Sequence, residues 1–398
     1  MAMKRPGYCA GGALLLTLLG CGGCGSSASD GGTARGVGDG AIPGAGPSEG
    51  DSGVGIGADS ASGAATGGSS GFTGGAARSG AGGAGPITVP TPPSAGNGGG
   101  ITPSILTAGT WDDNRNFDFF RTYRDSLYDA QTPGLLPFAE SDHVAANARF
   151  AEPPGARQTL DVSFVIDTTG SMGDEIRYLQ TEFIALSSVI AQKYPDATQR
   201  WSLVLYRDTA DEYVVRWFDF RDDPAEFQLR LQEQSADGGG DIPEAPDQAL
   251  AKVSELAWRT DADTARLAFW VADAPHHADN APALASAIDA LSALDVHVYP
   301  VASSGVDELT ELSMRQTAQL TGGRYLFLTN DSGVGGDHKE PTIPCYFVTK
   351  LNVAIARMVD IELSGDYREP TSAEVIRTSG DLQSGACTLS SGETVVAY

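Results

Sequence analysis

Asp161-Val-Ser-Phe-Val-Ile-Asp-Thr-Thr-Gly-Ser-Met172 decides the reading of this chain. Asp161 to Ile166 is an apolar run of strand length, and Asp174 to Lys193 carries Ile176, Leu179, Phe183 and Leu186 at helical spacing. Between them, Asp167, Thr169 and Ser171 alternate on a turn leaving the strand. A carboxylate and two hydroxyls so spaced can point at one spot. In open α/β sheets that spot is the crevice outside the carboxyl ends of the strands. Side chains offering only oxygen suit a hard cation such as Mg²⁺.

Two distant stretches have the same character. Gly238-Gly-Gly-Asp-Ile-Pro-Glu244 precedes a helical pattern of Ala249, Leu250, Val253 and Leu256, and Leu267-Ala-Phe-Trp-Val-Ala-Asp273 is a second apolar run ending in a carboxylate. Together the three turns resemble the metal-ion-dependent adhesion site of von Willebrand factor A domains, whose signature is Asp-x-Ser/Thr-x-Ser. The resemblance covers about residues 160 to 330. It implies metal binding by the Thr169 and Ser171 hydroxyls, with Asp167 and Asp273 acting directly or through water. Asp241 stands where the family usually has a threonine. The implied cofactor is a divalent metal, Mg²⁺ first, with Mn²⁺ or Ca²⁺ as alternatives.

The family's usual ligand is a carboxylate that completes the metal's shell. With Asp167, Asp241 and Asp273 ionised, the carboxylates exceed a divalent ion by one charge. Good metal retention with weaker carboxylate capture is therefore expected. The Gly-Gly-Gly-Asp-x-Pro-Glu variant also resembles bacterial and alpha-kinase-associated A domains, but the chain has neither a P-loop nor a kinase signature set.

Each of these residues has a plainer role available. Asp167 or Ser171 could simply cap the following helix, although three matching turns favour metal. Glu244 reads as a first-turn helix charge. Asp208 faces either the crevice or a surface turn. His276 and His277 read as exposed loop histidines, or as acid–base groups beside a metal.

Strands and helices alternate through the rest of the segment. Trp201–Tyr206 and Tyr213–Phe220 read as a hairpin, followed by helices over Pro224–Gln234 and Ala245–Trp258. Next come a strand over Leu267–Ala272, a helix over Pro282–Leu294, a strand over Val296–Val301, a helix over Glu308–Leu320 and a strand over Arg324–Leu328. The expected fold is a doubly wound α/β domain with a mostly parallel sheet and one antiparallel edge strand. It is expected over 160–335, preceded by an extension at 105–159 that packs on the core through Trp111 and Phe119. A C-terminal part at 336–398 reads as a helix over Pro344–Glu362 and a small β extension.

The N-terminal quarter differs in kind. Lys4, Arg5, the apolar run Ala10–Leu19 and Leu18-Leu-Gly-Cys21 read as an export signal over 1–20, too short to span a bilayer. The last four residues resemble a bacterial lipobox, which implies a lipid on Cys21; an ordinary cleaved signal is the alternative. Residues 21–104 are Gly, Ser, Ala, Thr and Pro with scattered charges, too poor in apolar groups to offset ordering entropy. As a coil of about 80 residues such a tether reaches roughly 50 Å. Of the cysteines, Cys345 and Cys387 suit either a disulfide in an oxidising compartment or two buried thiols.

Composition limits the functions. Among 398 residues, 26 Lys and Arg face 51 Asp and Glu, a net charge of −25. That argues against nucleic acid and against electrostatic attachment to anionic lipid. Membrane contact is expected through the lipid anchor only, at a bacterial envelope, and Gly22 after the cysteine suggests the outer membrane. The expected function is a non-catalytic, metal-dependent module that binds a protein or cell-surface ligand through a carboxylate. The alternatives are a metal-dependent hydrolase with His276, His277 or Glu244 as base, and a scaffold whose metal only stabilises the fold.

Overall fold

The computed structural model describes residues 101, 103–151, 155–240 and 242–397. The export signal, Cys21, nearly all of the tether and Asp241 lie outside the described residues.

Nine strands form the main sheet among the described residues. Its centre is parallel: β2 (Thr159–Asp167) lies between β3 (Thr198–Tyr206) and β5 (Thr264–Ala272), followed by β6 (His297–Ala302) and β7 (Tyr325–Leu328). The antiparallel edge strand is β4 (Val215–Arg221), which hairpins back on β3. At the other side the sheet extends beyond expectation. There β1 (Thr107–Trp111) runs antiparallel between β7 and β8 (Tyr346–Lys350), and β9 (Arg377–Ser379) closes the row.

Both flanking segments are thus built into the sheet. Gly109 shows how β1 fits: it pairs with Phe327, and a Cβ at Gly109 would lie 2.1 Å from Phe327 Cζ. The ring occupies the space the glycine leaves.

Side chains alternate between two cores, as period-two strands require. Val162, Phe164 and Ile166 of β2 pack with α3 (Ile176–Lys193), α4 (Pro224–Gln232) and α8 (Leu351–Ser364) on one face. Val165 packs on the other with α5 (Pro246–Ser254), α6 (Ala281–Ala293) and Met314 of α7 (Glu308–Thr321). The N-terminal extension adds α1 (Phe117–Leu127) and α2 (Glu140–Ala151). Its buried Asp113 takes two hydrogen bonds from Arg315 of α7, at 2.9 and 2.8 Å, and so ties the extension to the core.

The expected helix over Pro344–Glu362 needs correction. Its first part is β8, and the helix starts at Leu351. Phe347 and Leu351 share helical spacing, but Tyr346 and Val348 alternate into the sheet core beside Phe327. Cys345 and Cys387 are joined by a disulfide. It sits in a cluster with Trp111, Val395 and Ala397, next to the hairpin of β10 (Ala386–Thr388) and β11 (Thr394–Val396). Among the described residues no helix is long and apolar enough to cross a membrane.

Candidate metal centre

Asp167 is the last residue of β2 and is fully buried. Its Oδ1 accepts hydrogen bonds from the Thr169 backbone N–H at 2.9 Å and the Thr169 hydroxyl at 2.7 Å. The Thr169 and Ser171 hydroxyls lie 3.1 Å apart. Thr168 turns away, its Oγ1 donating to the Tyr206 carbonyl at 2.9 Å. The alternation seen in the sequence therefore becomes a side-chain alternation in space. A 3₁₀ turn over Gly170–Asp174 carries Ser171 past the strand before α3 starts.

The glycine turn is laced onto this loop. Asp237 N–H donates to Thr168 O, and Gly170 N–H donates to Gly238 O, both at 3.0 Å. Gly239 has φ +63°, and a Cβ there would sit 2.6 Å from Thr169 Cβ. Only glycine allows the two turns to approach this closely.

Asp273 follows β5 directly and is buried. Burial pushes its carboxyl up to about 6, with the Ser171 hydroxyl acting the other way. Asp167 is raised to about 7, first by burial and then by the charge of Asp273. These two carboxylates and the two hydroxyls therefore meet at one place. Asp241 lies outside the described residues, between Gly240 and Ile242.

Glu244 departs from its expected role as a first-turn charge. The helix begins at Pro246, and Glu244 stands before it with its side chain 1% exposed. Its N–H donates to Pro275 O at 2.9 Å, and it forms a parallel bridge with His276. Burial, then Asp167 and Asp208, raise its carboxyl to about 9. Proline at the first helical position was the sequence signal that Glu244 lies outside the helix.

The histidines divide. His276 is buried rather than exposed in a loop, because the bridge to Glu244 draws it inward, and its Nε2 has no hydrogen-bond partner. His277 is half-buried, its Nε2 2.6 Å from Asp208 Oδ1. Asp208 is buried at the crevice. Burial alone would raise its carboxyl, but His277 and the Thr209 hydrogen bonds together outweigh that and hold it below its ordinary value.

The donor chemistry fits a hard divalent ion. Asp167 Oδ2, Asp273 Oδ1 and Glu244 Oε2 are all buried without a hydrogen-bond partner. Buried carboxylates need a counter-charge or donors. Among the described residues no three His, Cys, Asp or Glu side chains converge closely enough to hold a metal by themselves. A site here would therefore use the Thr169 and Ser171 hydroxyls and water as well, with Asp167 and Asp273. A bound divalent ion would offer a partner's oxygen a vacant or water-filled coordination position.

Residues 161–330 match the family model described as von Willebrand factor A domain. An ariadne-like RING finger protein of Acanthamoeba polyphaga mimivirus is 27% identical over 190 residues, 42% of this chain and 18% of that protein. The alpha-protein kinase vwkA of Dictyostelium discoideum is 26% identical over 123 residues, 31% of this chain and 19% of that one. The chain thus spans under a fifth of the length of these two relatives. Among solved structures, the conserved hypothetical protein BatB from Bacteroides thetaiotaomicron aligns with TM-score 0.32 and 12% identity, over 44% of this chain and 93% of that chain. The doubly wound fold and the order of the turns agree with that match: residues 161–330 are similar to a von Willebrand factor A domain.

Proposed function

We propose that this protein is a divalent-metal-dependent binding module that takes up a protein or cell-surface ligand. The observation that carries this reading is the meeting of Asp167, Thr169, Ser171 and Asp273 at the carboxyl ends of β2 and β5, with buried carboxylate oxygens that lack donors. The hydroxyls and carboxylates hold Mg²⁺, and the ligand supplies a carboxylate to the ion's remaining position. Asp241, which stands in the sequence where the family usually has a threonine, would add a negative charge and lower the pull on that incoming carboxylate. The lipid on Cys21 would fix the chain to a bacterial envelope, and the glycine-rich tether would hold the domain away from the surface.

Calorimetric titration of Mg²⁺ and Mn²⁺ into the metal-stripped chain, beside Asp167→Ala, tests the core of this proposal. Saturable uptake by the wild type and none by the variant is expected. No uptake by a folded wild type would leave these turns as helix caps. Metal uptake combined with partner binding that survives chelation would instead favour the scaffold role.

A further inference from the structure

Glu244 is fixed at its backbone and, among the described residues, has no cationic side chain as its ion-pair partner. Its backbone is pinned by the hydrogen bond to Pro275 O and the bridge to His276, between Pro243 and Pro246. Its side chain is 1% exposed, and Oε2 has neither donor nor solvent. Among the described residues its strongest electrostatic neighbours are carboxylates: Asp167, Asp208, Asp211 and Asp273. Oε1 lies on the same side of the turn as Thr169, since both crowd the position a Gly239 Cβ would take, at 2.9 and 2.6 Å. A glutamate kept for packing or for a hydrogen bond would have a donor. This one faces the metal turn without one.

We propose that Glu244 is an additional carboxylate of the metal centre, gripping the ion through bound water. The inference rests on the metal-dependent reading above. Water mediation follows from the geometry, because no three acidic side chains converge enough for direct ligation. Mg²⁺ keeps several waters, and a carboxylate that accepts hydrogen bonds from them orients the shell and strengthens retention. Glu244 is thus a positioning residue. It also adds negative charge at the ion, beyond Asp167 and Asp273, so it works against an incoming anionic ligand.

The full chain with Glu244→Gln tests this through two readouts. Gln keeps the shape and removes the charge. Expected is a loss of Mn²⁺ affinity of about ten- to a hundred-fold, with the metal-free variant melting close to the wild type, because Gln matches the uncharged carboxyl that burial favours when no ion is bound. A structural glutamate would leave metal affinity unchanged. Affinity within twofold of wild type, or a clearly less stable metal-free variant, overturns the proposal. A wild type that takes up no Mn²⁺ overturns both this and the reading beneath it; uptake equal in both proteins overturns this one alone.

Discussion

Glu175 Oε1 and His338 Nε2 meet at 2.9 Å with both side chains buried, joining the residue just before α3 to the loop beyond β7. The same Glu175 oxygen also accepts the Ser304 N–H at 3.1 Å, from the segment after β6. On the far side of the ring, His338 Nδ1 lies 2.9 Å from Asn330 Oδ1. One carboxylate therefore clasps three segments directly behind the 3₁₀ turn that carries Ser171. Burial alone would raise the Glu175 carboxyl, but the His338 and Ser304 hydrogen bonds outweigh it and leave it lowered.

Removing His338 leaves the buried Glu175 oxygen with the Ser304 N–H alone. His338→Ala should cost about 3 kcal/mol of stability, at the lower end for a broken buried pair. Urea unfolding measures it. A loss under about 0.5 kcal/mol, the range of ordinary surface changes, would show that the loop repacks without the clasp.

A second buried pair makes stability depend on pH. His297 Nδ1 lies 2.6 Å from Glu362 Oε1, and the Tyr299 hydroxyl donates to the same oxygen at 2.5 Å. Burial pulls the imidazole down, yet Glu362 and Asp295 outweigh it and raise it from 6.5 to about 9. Glu362 is lowered from 4.5: its burial acts upward but is outweighed, chiefly by His297. The imidazole's contribution is complete below pH 6.5 and is lost as pH rises through about 9. The carboxylate's contribution is complete above pH 4.5 and is lost as pH falls through its lowered value. The pair's own contribution, read as the difference in urea midpoint between wild type and His297→Gln, should therefore be largest near pH 5.5 to 6.5 and shrink toward pH 9.5; a difference that does not change with pH would contradict it.

The Cys345–Cys387 bridge closes a loop over a sequence separation of 42 residues. In the chain-entropy account a loop of that length contributes about 4 kcal/mol. Cys387→Ser should lower stability by that order and loosen the β10–β11 hairpin, seen as faster amide exchange across Ala386–Val396. Equal melting of oxidised and reduced wild type would contradict it.

Gly239 separates the metal reading from general stability. Gly239→Ala must hold φ +63° and place a methyl 2.6 Å from Thr169 Cβ. The backbone term alone costs about 1–2 kcal/mol, and the clash pushes Thr169 off its seat against Asp167. Mg²⁺ affinity should drop at least tenfold while the circular dichroism spectrum stays that of the wild type. Full Mg²⁺ affinity in a folded Gly239→Ala protein would mean that Thr169 is not part of the centre.

What the sequence determined by itself was everything carried by local periodicity. The apolar run to Asp167, the two-residue spacing to Thr169 and Ser171, and the 3.6-residue pattern from Ile176 each act within a few residues. They were enough to read the doubly wound core and the order of its turns. The bond between Cys345 and Cys387 was one of two options until the fold placed the pair together. Tertiary structure alone decided the rest. β1 enters between β7 and β8 because Gly109 makes room for the Phe327 ring, a match across more than two hundred residues. Tyr346–Lys350 becomes a strand because a sheet edge was there to pair with it, although its spacing also fitted a helix. The burial of Glu244 and His276 and the Glu175–His338 clasp are invisible as pattern, since burial of a polar side chain depends on what the fold packs around it. Local spacing sets which way neighbouring side chains point; only the closed fold sets which distant charges must share one dry space.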